Sequence, residues 1–357
     1  MTQLLSRKPG HCLPTVPYSN GGLLSALPAP PDGRTGWPWT EETIPLPPTQ
    51  ANGELWPKVT IVTPSYNQGA FIEETIRSVL LQNYPNLEYI VMDGGSTDDT
   101  VDILKKYSHW ISLWQSEKDK GQSHAINKGF RQASGVLRGY LNSDDLLLRS
   151  SLKQVADLAM LDPEKPLLIL GDCEFGKLAQ YPERTIVPIP PISLVDTICR
   201  DGVCPQPATF WTYSEQISQL EFDEQLNFCM DFDFWCQLVK CGYKPTKLDA
   251  PLAFYRYHAD AKGATITDVF WSELAGLALL KLNDTQSFEE KLHITAISRR
   301  RLRHYLRLEI QKLHLEKGKW AALQALLKAC WTYPDLLTER ITLGLARSLL
   351  FATSKTP

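Results

Sequence analysis

The chain has 357 residues, 43% hydrophobic and 22% charged, enough to bury one large or two modest cores in an ordinary globular protein. A formal net charge of −3 argues against wholesale nucleic-acid binding. That average hides an asymmetry: residues 291–357 hold 13 Lys/Arg against 4 Asp/Glu, so the rest of the chain carries 24 basic against 36 acidic groups.

Residues 1–56 are rich in Pro and Gly, as in LPAPPDGRTGWPWT, and read as an extended arm or linker whose Trp37, Trp39 and Trp56 lie against the body. The N-terminus is cut by prolines and does not read as a signal peptide. Order begins at Lys58. VTIVTP is a short β-branched run and predicts a buried strand, and FIEETIRSVLLQ sets Ile72, Ile76, Val79 and Leu80 on one helical face. LEYIVM predicts a second strand. Ser96 with Asp99 three residues on suggests a capping box for the helix TVDILKKY. WISLWQ, SHAINKGFRQ, VLRGYLN and SLKQVADLAML continue as strand, helix, strand and helix, the last capped by Ser150 or Ser151. This alternation predicts an α/β fold with a mostly parallel central sheet flanked by helices, a Rossmann-like nucleotide-binding half. Ligands of such sheets bind outside the carboxyl ends of the strands. Four polar clusters fall on that edge: PSYNQG, DGGSTD, SEKDKGQ and NSDD.

Each cluster has a plain reading and a chemical one. NSDD is either an exposed turn or a seat for a hard divalent cation, whose charge would offset the repulsion of Asp144 and Asp145. TPSYNQG is a simple turn, or a nucleotide cradle built from Thr63, Ser65 and Asn67; it is neither a P-loop nor a dinucleotide fingerprint. Asp93 has the chemistry to accept from a base N–H or ribose hydroxyl, although the Ser96 cap accounts for half of DGGSTD. EKDKGQSHAINKG is a solvated charge cluster, or a mobile Gly/Lys segment at a helix start suited to a diphosphate. Further on, MDFDFW puts Asp231 and Asp233 among aromatics in a helical segment, where an acid caps the helix, pairs, or acts as a general base. A lone His258 after Arg256 reads locally as structural.

Taken in order, VTIVTPSYNQGAFIEETIRSVLLQNYPNLEYIVMDGGSTDDT, EKDKGQSHAINKGF, GYLNSDD and MDFDFW resemble glycosyltransferase family 2 on the GT-A fold, from about Val59 to Gly263. The resemblance implies an inverting transfer of a sugar from a nucleoside-diphosphate sugar, a UDP-sugar being the expected donor, to a hydroxyl of a glycan or lipid-linked saccharide. It implies a nucleotide-binding half at 57–150 and an acceptor half at 151–265. The donor set is Thr63, Pro64, Ser65, Tyr66, Asn67, Asp93, Gly94, Gly121, Gln122, Asn127, Asn142, Ser143 and Asp144. Asp145 and His258 would hold Mn²⁺ or Mg²⁺, Asp144 the donor ribose or sugar, and Asp231 would be the base with Asp233 as fallback. Asn142 stands where relatives often carry an acid, and Gly94 where many have a second one. Gln206 would face the acceptor.

Residues 266–357 form an extension with Leu302, Leu306, Ile310 and Leu313 on one helical face. It is either a helix pair on the catalytic domain or a basic amphipathic surface for anionic lipid. Eight cysteines without a CxxC pair read as reduced, and no stretch reaches membrane-span length. The expectation is a cytoplasmic protein, with the basic helices as its route to peripheral contact at the inner face of a membrane. Two other classes fit parts of the pattern. A sugar nucleotidyltransferase would need a GxGxRL-type loop after the first strand, where PSYNQG stands; a non-catalytic nucleotide-sugar binder would not need Asp231.

Overall fold

The computed structural model describes residues 13–177, 205–259, 261–262, 273, 295, 310, 314 and 317–332. The chain divides into two compact units, Met1–Leu226 with Met230–Thr265, and Asn227–Cys229 with Ile266–Pro357.

The first unit is built on an eight-stranded sheet. Strands β1 (Val59–Ser65), β2 (Leu87–Asp93), β3 (Leu113–Ser116) and β4 (Leu137–Tyr140) run parallel in the order β3-β2-β1-β4. Helices α1 (Ile72–Leu80), α2 (Thr100–Tyr107) and α3 (Gln122–Gln132) make the crossovers. The sheet continues through β7 (Thr209–Thr212), β6 (Leu167–Gly176), β8 (Lys244–Arg256) and the two-residue β5 (Leu146–Leu147). Of these pairings β6 with β8 is parallel, and the joins β4–β7, β7–β6 and β8–β5 are antiparallel. Helices α4 (Ser151–Met160) and α5 (Met230–Lys240) complete the unit. The expected α/β architecture with a predominantly parallel sheet is what the structure shows. β1 and β2 are buried at every position, which is why they read as continuous apolar runs rather than alternating ones. Ile72, Ile76, Val79 and Leu80 are fully buried, as the helical periodicity of their segment predicts.

Register brings the functional edge together. Ser65 pairs with Asp93, and Asp93 with Ser116, so three strands end at one level. β4 ends beside Val62, and the Leu141 N–H donates to the Val62 carbonyl, which carries residues 142–145 up alongside the β1 terminus.

Local expectations differ from the structure at three places. The capping box at Ser96 does not form, because Ser96 is occupied with Asp93; the start of α2 is served by Asp98, whose carboxylate accepts from the Thr100 N–H at 3.0 Å. Neither serine caps α4: Ser150 adopts φ 63°, and the Ser151 hydroxyl donates to the Leu148 and Leu252 carbonyls. The N-terminal segment is not an unpacked linker, since Val16, Leu23, Leu27, Leu46 and Trp56 belong to the same apolar cluster as β1 and α1. A buried cation helps tie it down. Arg77 is fully buried and donates to the carbonyls of Pro28, Pro38 and Trp39 at 2.8, 3.0 and 2.8 Å.

In the second unit, helix α6 (Lys319–Thr332) buries Ala322 and Leu326 one turn apart, and Ile310 is also buried. Leu302, Leu306 and Leu313 lie outside the described residues, as does the loop 178–204. Among the described residues no helix is long and apolar enough to cross a membrane, and Cys173, Cys229, Cys236 and Cys241 form no disulfide.

Candidate active site

A cleft of about 570 Å³ opens along the carboxyl edge of β3, β2, β1 and β4. Its lining includes Pro64, Ser65 and Tyr66 after β1, Gly94 and Gly95 after β2, and Lys118, Asp119, Gly121 and Gln122 at the start of α3. Asn142, Ser143, Asp144 and Asp145 follow from β4, and Tyr255 and Lys262 come from the far side.

The acid pair is fixed from three directions. The Thr75 hydroxyl of α1 lies 2.9 and 2.8 Å from the carbonyls of Ser143 and Asp145. Arg256 at the end of β8 donates its backbone N–H to Asp145 Oδ1 at 3.0 Å and its Nε to the Asp144 carbonyl at 2.8 Å. The rest of that guanidinium is spent on Glu74, 3.0 Å away in a pair buried on both sides. Asp145 is 1% exposed, and burial, then the neighbouring Asp144, push its carboxyl well above the usual range, with Arg256 and Asn142 pulling the other way. Asp144 is the more open of the two, its side chain 18% exposed, and its Oδ2 meets His258 Nε2 at 3.0 Å. His258 in turn packs on Phe71, with ring centroids 4.4 Å apart. Both acids line the cleft, Asp144 beside the imidazole and Asp145 anchored by the Arg256 N–H.

Asn142 is the centre of an amide chain. It accepts from Gln122 Nε2 at 2.7 Å and donates to Gln206 Oε1 at 2.9 Å. Gln206 donates onward to the Tyr140 carbonyl, and Lys262 donates to Gln122 Oε1 at 2.9 Å. An amide can both give and take in such a chain and an acid cannot. Gln206 is therefore held against Asn142.

Asp231 stands in the first turn of α5 and accepts from the Phe232 N–H. Burial pushes its carboxyl up to about 6, while that hydrogen bond and Lys262 oppose the shift. Burial, then the negative charges of Asp231 and Asp145, push the Tyr140 hydroxyl up, so both carboxylates act on the same ring. Asp233 is 7% exposed and accepts from Gln237 Nε2 at 2.6 Å, one helical turn on.

Four of the expected donor residues, Thr63, Asn67, Asp93 and Asn127, are not cleft-lining. Asp93 is 2% exposed, and its carboxylate already accepts from the Gly95 and Ser96 N–H groups and from the hydroxyls of Ser96 and Ser116. It builds the turn that carries Gly94 and Gly95. Thr63 is fully buried against the Tyr89 hydroxyl at 3.1 Å. Asn127 clamps the backbone of Phe222 from both sides at 2.8 Å. Asn67, at φ 52°, shapes the same wall by accepting from the Thr97 N–H. Sequence reasoning gave the lysines at 118–120 a diphosphate role as a segment, and passed over Asp119, Tyr255 and Lys262 in the lining and the Arg256–Glu74 pair beneath. Tyr255, Arg256 and Lys262 lie more than a hundred residues after NSDD, and β8 pairing brings Tyr255 and Arg256 in beside it.

The residues present fit a divalent cation. Two adjacent acids share one cleft wall, and the nearest guanidinium is engaged elsewhere. Among the described residues no group of three His, Cys, Asp or Glu forms a closed site. A hard cation here would take its remaining ligands from water and a diphosphate, as Mg²⁺ does.

The glycosyl transferase family 2 profile matches residues 60–197. TuaG of Bacillus subtilis (strain 168), named for teichuronic acid biosynthesis, is 37% identical over 203 residues, covering 55% of this chain and 77% of TuaG. Matches to further bacterial glycosyltransferases span 18% to 58% of those proteins. Among solved structures, Staphylococcus aureus TarS 1–349 with UDP-GlcNAc superimposes with a TM-score of 0.56 at 18% identity, covering 75% of this chain and 79% of that one. The mannosyltransferase PcManGT of Pyrobaculum calidifontis, with GDP-Man and Mn²⁺, gives 0.51 at 19% identity, covering 88% and 92%. With the sheet, the cleft and the ordered motifs in place, the chain belongs to glycosyltransferase family 2 and carries the GT-A fold.

Proposed function

We propose that the protein is an inverting glycosyltransferase that moves a sugar from a nucleoside-diphosphate sugar, a UDP-sugar, to a hydroxyl of a glycan or lipid-linked saccharide. The observation that carries this reading is the pairing of two chemistries around Tyr140: an acid pair on the cleft wall and a separate carboxyl, Asp231, raised to about 6. The solved relatives were captured with UDP-GlcNAc or with GDP-Man and Mn²⁺, which supports a nucleotide-sugar donor and a divalent metal.

In this reading Asp145 and the adjacent Asp144, with His258 beside it, would hold Mn²⁺ or Mg²⁺. The metal, when bound, offsets the charge of the departing diphosphate. Lys118 and Lys262 add positive charge at the cleft, and the exposed N-terminus of α3 at Gly121 and Gln122 favours an anion. Asn142 keeps the wall rigid through Gln122 and Gln206. Asp231 takes the proton from the acceptor hydroxyl, and the resulting oxygen displaces the diphosphate in line, so configuration at the anomeric carbon inverts. A carboxyl near 6 is well matched to this task at neutral pH, being ionised yet more basic than an ordinary Asp. Asp233 is turned into its own helix by Gln237, which favours Asp231 as the base. The acceptor half is residues 151–265, and the basic extension after 265 is the candidate for peripheral contact with an anionic membrane.

Transfer or hydrolysis of a UDP-sugar in the presence of Mn²⁺ tests the reading, with Asp145→Ala and Asp231→Asn as comparisons. Activity that is the same in both variants as in the parent would refute these roles. Release of pyrophosphate from a sugar phosphate and a nucleoside triphosphate would instead identify a nucleotidyltransferase, and nucleotide binding without turnover a non-catalytic binder.

A further inference from the structure

The cleft spans the ends of four adjacent strands, three strand spacings or roughly 14 Å, and its two ends differ chemically. The β4 end holds Asp144 and Asp145. The opposite end, after β2 and β3, is walled by Gly94, Gly95, Lys118 and Asp119. If the diphosphate lies near the acid pair, as the reading above has it, the nucleoside extends toward Asp119. This inference rests on that reading.

Asp119 is held in place by one oxygen only. Its Oδ1 accepts from the Gly121 N–H at 2.8 Å, which fixes the carboxylate at the start of α3. Its Oδ2 points across the turn to Gly94, where an added Cβ would come within 2.9 Å of that oxygen. A side chain at 94 would therefore displace the carboxylate, and glycine leaves the room to it. Asp93, the acid first expected to meet the base, is saturated by four protein donors. Two neighbours complete a nucleoside seat. Tyr66 lines the cleft and is 60% exposed, offering a face for stacking, and the buried Ser65 hydroxyl in the lining has no hydrogen-bond partner among the described residues.

We propose that Asp119 reads the donor's nucleobase, its free oxygen accepting from a ring N–H. That choice favours uracil or guanine, which carry a ring N–H on the pairing edge, over cytosine, whose N3 offers a lone pair to the carboxylate. The argument is one of hydrogen-bond polarity: a carboxylate is acceptor-only, and an acceptor opposite it is left unpaired.

The test is titration of the full chain with UDP, CDP and 3-methyluridine diphosphate in the presence of Mn²⁺, for the parent and for Asp119→Asn. Asparagine keeps an oxygen for the Gly121 N–H and turns the free position into a donor. The parent is expected to bind UDP about tenfold or more tighter than CDP and the methylated analogue, the ratio given by one charge-assisted hydrogen bond. Asp119→Asn should bring UDP and CDP to within about threefold, chiefly by gaining affinity for CDP, at an unchanged melting temperature. An unaltered UDP-to-CDP ratio in the variant, with UDP still bound, overturns this inference alone. Absence of any nucleotide binding by the parent overturns it together with the function it rests on.

Discussion

At the scale of the residue, the site works by separating three carboxylates that have similar intrinsic acidity. Asp145 is buried and anchored by a backbone N–H, Asp144 is open beside His258, and Asp231 is raised to about 6. The sign of the pH dependence follows from the role: a base works ionised, so kcat/KM should be level above about pH 7 and fall about tenfold per unit below 6. Asp231→Asn should lower kcat by about 10² to 10⁴-fold while leaving UDP affinity within a factor of a few, measured by transfer kinetics and by titration. Asn142 gives a second residue-level expectation. Asn142→Asp removes the donor to Gln206 Oε1 and adds a third acid beside Asp145, so it should cost about 1–3 kcal/mol of stability without metal. Thermal unfolding with and without Mn²⁺ would show the loss and its partial recovery. A carboxylate tolerated there at no cost would mean that the amide chain does not hold the wall.

At the scale of the element, the motifs were legible in sequence wherever chemistry follows directly on a strand of the parallel half. PSYNQG and NSDD sit where the alternation of strand and helix puts them, and Pro64, Ser65, Tyr66, Gly121, Gln122 and Asn142 all line the cleft. What the periodicity did not carry was the local hydrogen bonding. Asp93 reads in sequence as a free acid after a strand, but the Gly95–Ser96 turn and Ser116 fold onto it. Asn127 lies on a helix that begins at the cleft, yet one and a half turns carry its side chain to the 222 loop. Packing at this level makes its own prediction. Gly129 of α3 crosses β1 so closely that an added Cβ would stand 2.5 Å from Val62 Cγ1. Gly129→Ala should therefore cost about 1–3 kcal/mol by overpacking, read as a lower unfolding midpoint at an unchanged denaturant slope.

At the scale of the whole molecule, the catalytic unit depends on long-range closure that composition conceals. The Pro/Gly-rich beginning reads as a linker because it has no period, yet its isolated apolar residues fill the face of α1 and its carbonyls satisfy Arg77. Arg77→Ala leaves those buried carbonyls unpaired, each costing about 1–3 kcal/mol, and should release the segment to proteolysis before the sheet unfolds. The β8 strand does comparable work at the other edge, bringing Tyr255, Arg256 and His258 to a cleft whose motifs lie more than a hundred residues earlier. The central claim is that these pieces converge on a metal-assisted nucleotide-sugar site, and calorimetric titration of the full chain with UDP tests it most directly. UDP should bind in the presence of Mn²⁺, weaken about tenfold or more when the metal is chelated, and lose that metal dependence in Asp144→Ala, one hydrogen-bonded charge contact being worth that much. Binding of equal strength with and without metal, unchanged in Asp144→Ala, would contradict the account.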